Sequence, residues 1–79
     1  MQVLKQITHP HYKLTLYEWN NRYIIKLEQD LLEQTFKINK FDVAHEGELE
    51  KLLNPDFMQQ AMQRFAGMSE ALHKALQAL

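Results

Sequence analysis

No cysteine occurs in this chain, so neither a disulfide nor a thiolate metal site can staple it, and nothing calls for an oxidising compartment. Only two glycines are present, Gly47 and Gly67, too few and too far apart for a glycine-rich phosphate loop. The one serine, Ser69, falls inside a helical pattern, where a Ser–His nucleophile would lack the strained turn that exposes it. No apolar run approaches membrane-spanning length, and the opening MQVLKQITH lacks the basic-then-apolar layout of a secretory signal. The chain is therefore expected to be cytoplasmic, with no membrane partner.

A strong surplus of either charge is also missing. The net charge is −1, although it is unevenly spread. Residues 1–40 hold six bases against four acids and residues 41–79 hold three against six. That is a tilt, far from the basic footprint of a dedicated duplex binder. Hydrophobic residues make up 46 % and charged residues 24 % of the chain, which fits a folded domain and argues against disorder. At 79 residues a single core is marginal, and oligomerisation commonly supplements it.

What is present divides at about Lys40. Up to there the apolar period is two, as pleated strands require. QVLKQIT reads as a first strand, with Val3 and Ile7 on one face or Leu4 on the other, and His9-Pro10 ends it because proline cannot donate to a ladder. In YKLTLYEWNNRYIIKLEQ, Asn20-Asn21 suits a two-residue turn, since asparagine tolerates positive φ. That turn sets Leu16 opposite Ile25 and Leu14 opposite Leu27. A second reversal at Asp30-Leu31 sets Ile25 opposite Phe36 and Tyr23 opposite Ile38. Both turns bury the same face, which is what a correct register produces. Two pairings fit less well, Glu28 with Glu33 and Leu27 with Gln34.

Beyond Asp42 the period changes. GELEKLL is expected to form a short helical turn burying Leu49, Leu52 and Leu53. NPDF then supplies a helix start: Asn54 caps the free amides, Pro55 suits the first helical position and Asp56 favours the positive end of the dipole. Met58, Ala61, Phe65, Met68, Leu72, Ala75 and Leu79 recur at spacings of three and four, and Phe57, Met62 and Leu76 widen the stripe. The fold class is α+β: an antiparallel meander of three or four strands, a short helical turn, and one long C-terminal helix across one sheet face. It forms one domain, with the meander over 1–40, a connector over 41–53 and the helix over 55–78.

A helix of about 24 residues runs roughly 36 Å, whereas eight-residue strands span only about 26 Å. The apolar end of the helix overhangs the sheet, and the simplest cover for it is a second copy. Met68, Leu72, Ala75, Leu76 and Leu79 are the expected dimer contacts.

Chemistry is sparse. The histidines are His9, His11, His45 and His73, and neither the helical His spacing nor a carboxylate pair completes a metal site around them. No catalytic residue, cofactor or metal is assigned, and an enzyme is not expected. The outer sheet face, by contrast, carries Lys13, Tyr17, Trp19, Arg22 and Lys26, with Lys37 beside them and Lys40 expected at its edge, rings and cations interleaved as in single-strand nucleic-acid binders. The same residues also serve as ordinary hairpin contacts, with Arg22 over Trp19 and Tyr17 covering Ile24, or as a face buried by a partner subunit.

Four meandering strands followed by one long helix resembles the PUR repeat and the Whirly-type single-strand binders. The likeness lies in element order and covers most of the chain. No motif of either family matches residue by residue, and the chain is assigned to neither. The sequence reading is a non-catalytic interaction or assembly module acting as a homodimer, with single-stranded nucleic-acid binding as the alternative.

Overall fold

The computed structural model describes residues 1–79. Four strands, β1 (Gln2–His9), β2 (Tyr12–Trp19), β3 (Arg22–Gln29) and β4 (Leu32–Asn39), form an antiparallel meander in the order β1-β2-β3-β4. Single 3-10 turns at Lys40–Asp42 and Glu46–Glu48 lead into α1 (Leu49–Leu52) and then α2 (Pro55–Gln77). The helix ends one residue short of the expected 55–78, within the ordinary uncertainty of a helix's last turn.

Each hairpin is closed by two residues, and the turn chemistry explains the register. Asn20 and Asn21 both adopt positive φ, at 57° and 61°, as a type I′ turn requires to match the twist of the flanking strands. Asp30 takes φ 52° at the next turn. Leu14 consequently stands opposite Leu27, Leu16 opposite Ile25, and Ile25 opposite Phe36.

β1 departs from the simple alternation. Its pairing with β2 shifts between Val3 and Lys5, so that Leu4 is the extra residue of a bulge. Val3 then pairs with Tyr17 and Ile7 with Leu14, on opposite faces. The even spacing that would place Val3 and Ile7 together is broken by the inserted residue.

The inner face is covered by α1 and α2. Leu14, Leu16, Tyr23, Ile25, Leu27, Leu49, Ala61 and Phe65 form the core, with Leu4, Phe36 and Ile38 among its partly buried neighbours. Of the connector leucines, Leu49 is buried and Leu53 half-buried, but Leu52 is exposed. One four-residue turn cannot aim all three at the sheet. Asn54 caps α2, its Oδ1 accepting the Phe57 N–H at 2.9 Å, with Pro55 and Asp56 in the first turn.

α2 runs antiparallel to β4: the Phe57 ring meets Phe36 edge-on at 5.3 Å, and Ala61 lies over Gln34. The far half of α2 passes the β3–β4 turn into open space, and the molecule measures 46 × 26 × 21 Å.

Candidate functional site

Because one sheet face is covered by helices and the other is open, the register decides which side chains share the open face. Tyr17 stands opposite Ile24, Trp19 opposite Arg22, Thr15 opposite Lys26 and Lys13 opposite Glu28. Lys13, Tyr17, Trp19, Arg22 and Lys26 thus lie on the outer face together with Lys37, which stands opposite Ile24. Lys40 is not at the edge of this face, because the turn that follows β4 carries it to Glu18 and the Tyr23 ring on the other side of the sheet. Val3 joins them through the bulge, which is why its period alone does not reveal it.

The outer face is polarised. Its two acids, Glu28 and Glu33, stand opposite each other near the β3–β4 turn. Its rings lie toward the Asn20-Asn21 end, beside Arg22 and Lys37. Trp19 is 46 % exposed, Tyr17 is half-buried, and Lys13, Arg22 and Lys37 are exposed with no ion pair. Lys26 lies 5.6 Å from the centre of the Tyr17 ring and 3.5 Å from Glu28. Its ammonium pKa is held above the usual lysine value, first by hydrogen bonding to Tyr17 and then by the charges of Tyr17 and Glu28. Arg22 does not sit over Trp19; the cation–π pairs of the chain are Lys26 with Tyr17, Lys40 with Tyr23, and Arg64 with Phe36 and Phe57. Under these long side chains Thr15 and Ile24 are buried, and the Thr15 hydroxyl has no hydrogen-bond partner.

The second surface is the overhang of α2. The stripe that buries Ala61 and Phe65 continues through half-buried Met68 into exposed Leu72, Ala75, Leu76 and Leu79. Met68 is the one expected dimer contact that also touches the core. Beside the helix, the β3–β4 turn offers Leu31, 99 % exposed. Between turn and helix lies an open cleft of about 240 Å³, lined by Asp30, Leu31, Leu32, Leu72, His73 and Leu76.

The β1–β2 turn gathers two histidines. The His9 ring stacks on Tyr12 at 4.4 Å and its Nδ1 accepts the His11 N–H at 3.1 Å, so the pair builds the turn. No group of three or more His, Asp or Glu side chains comes together in a way that could hold a metal. No helix is long and apolar enough to cross a membrane.

Comparison with family models, with curated proteins and with solved structures finds no match to this chain. Any functional reading therefore rests on these surfaces alone.

Proposed function

We propose that the chain is a non-catalytic assembly module that works as a cytoplasmic homodimer through the overhanging half of α2. The observation that carries this reading is the continuity of one apolar stripe, buried at Phe65 and bare at Leu72, Leu76 and Leu79. A soluble domain leaves such a continuous patch uncovered only where something docks on it. The surface offers both a cleft beside Leu72 and a protruding Leu79 on one end of the molecule. A surface holding both parts suits a two-fold interface, in which each copy gives and receives the same group.

Light scattering tests the reading. At micromolar concentration the intact chain should show twice its 9.4 kDa mass, and a Leu72→Glu/Leu76→Glu variant should be monomeric and folded. A monomeric parent would remove the proposal.

A second reading draws on the outer face, where the rings share one end with the unpaired cations Arg22 and Lys37 and no acid lies on that face there. Two rings on alternate residues of one strand sit about 7 Å apart, within reach of successive bases of a single strand. Single-stranded oligonucleotides at low salt should then quench Trp19, the only tryptophan, and salt should reverse the quenching through counterion uptake. A Trp19→Ala variant should lose roughly 1–3 kcal/mol of binding. An unchanged Trp19 signal leaves the assembly module alone.

A further inference from the structure

The sheet has two free edges, and they are not alike. β1 carries the bulge at Leu4, which interrupts its ladder and bends the strand away from regular pairing. β4 pairs with β3 without a shift from Leu32 to Asn39. The two-residue turn at Asp30-Leu31 makes Gln29 and Leu32 the closing hydrogen-bonded pair. Alternation then commits Leu32, Gln34, Phe36 and Ile38 to β3, and turns the N–H and C=O groups of Glu33, Thr35, Lys37 and Asn39 outward.

The side chains of those outward residues are all exposed. Glu33 and Lys37 have no ion pair within the chain. Glu33 in fact faces Glu28 across the ladder, a like-charge placement that costs stability. On one strand, four residues apart, Glu33 and Lys37 sit about 13 Å from each other and cannot meet.

We infer that β4 pairs antiparallel with β4 of a second copy about a two-fold axis at Thr35, so that Glu33 faces the partner's Lys37 and Lys37 faces the partner's Glu33. The two sheets become one of eight strands. The register is selected by charge. Sliding the strands by one repeat sets Glu33 opposite the partner's Thr35 or the partner's Asn39. Sliding by two sets Glu33 opposite the partner's Glu33, or Lys37 opposite the partner's Lys37, which repel. Only the register at Thr35 pairs both charges, and it brings a lysine beside the Glu28–Glu33 clash.

The inference rests on the self-association proposed above, but replaces the exchange of Leu79 between clefts with a β4 seam. In this register Leu31 is level with the partner's Asn39, next to the partner's Phe41. Phe41 is 94 % exposed. The overhang of α2 runs past Leu31 toward the same corner, so Leu31, Leu79 and the partner's Phe41, three of the barest apolar side chains, gather at each end of the pair.

The chain has no cysteine, so a Thr35→Cys variant can form a disulfide only with another copy. Under mild oxidation it should cross-link far faster than a Thr8→Cys control on the exposed face of β1. The charge variants supply the second measurement. Glu33→Lys and Lys37→Glu should each weaken the dimer about tenfold in sedimentation equilibrium, since each turns two attractive cross-strand pairs into repulsive ones. The double variant should return to the affinity of the parent. A dimer indifferent to all three charge variants, with Thr35→Cys no faster than Thr8→Cys, overturns the β4 pairing and leaves assembly through α2 in place. A monomeric parent overturns both.

Discussion

Gln34 on β4 and Arg64 on α2 are joined by a hydrogen bond in which the Arg64 Nε donates to the Gln34 Oε1 at 2.9 Å. The same amide donates through Nε2 to the Ala61 carbonyl at 2.8 Å. A glutamine on the inner face of a small core thus spends both ends of its amide on α2, and the Arg64 guanidinium lies 5.9 Å from the ring centres of both Phe36 and Phe57.

Removing that amide should loosen α2 from β4. Gln34→Ala is expected to cost about 1–3 kcal/mol, the range for deleting one partner of a largely buried hydrogen bond. Urea denaturation followed by circular dichroism reads it, and a loss no greater than that of Thr8→Ala on the exposed face of β1 would refute the role.

Phe65 and Phe36 should rank in order of burial. Phe65 is fully buried in the core while Phe36 is half-buried beneath Phe57 and Arg64. Phe65→Ala should cost on the order of 3–5 kcal/mol, and Phe36→Ala less. Equal midpoints in parallel melts would show that α2 does not hold the sheet through Phe65.

The β2–β3 turn offers a substitution that should stabilise. Asn21 holds φ at 61°, where glycine meets no side-chain penalty. Asn21→Gly should therefore raise the melting temperature or leave it unchanged. Asn21→Val should lower stability by about 1–2 kcal/mol, the cost of forcing a branched L-residue into the left-handed region.

Lys40 makes an ion pair with Glu18 that carries a pH dependence. Hydrogen bonding to Glu18 is the largest cause raising the Lys40 pKa above the ordinary 10.5. A group whose pKa is raised on folding favours the charged form in the folded state. Its contribution is complete below the ordinary lysine value and is lost as pH climbs through the raised one. The difference in stability between parent and Lys40→Met should thus stay constant from neutral pH upward and shrink only in the alkaline range above 10.5.

How far the fold is legible in the sequence depends on how local each signal is. Asn20-Asn21 and Asn54-Pro55-Asp56 act on the backbone within a few residues, and both elements stand where those residues place them. The agreement of two turns on one buried face likewise holds through Leu14, Leu16, Ile25 and Phe36. The bulge at Leu4 has no such local marker. It sets Leu4 against the core while both ends of β1 keep pairing with β2, a matter of packing. Gln34 is misleading for the same reason: its partners, Ala61 and Arg64, are 27 and 30 residues away. The outer face was legible as far as Lys13, Tyr17, Trp19, Arg22, Lys26 and Lys37, since two hairpins of agreeing register align them. Val3 enters only through the bulged outer strand.

The irregularity of β1 has a bearing on how large an assembly can grow. A meander with two regular edges is a monomer for polymerisation, because each added copy exposes a fresh template and the product is a fibre. Here one rim is regular and the other is interrupted at Leu4. In the β4 pairing proposed above, the regular rim of both copies would be consumed and only interrupted rims left outward, which would end growth at two. Under that proposal the single extra residue between Val3 and Lys5 would act as a chain terminator, and its deletion should convert a finite particle into one prone to fibrillise.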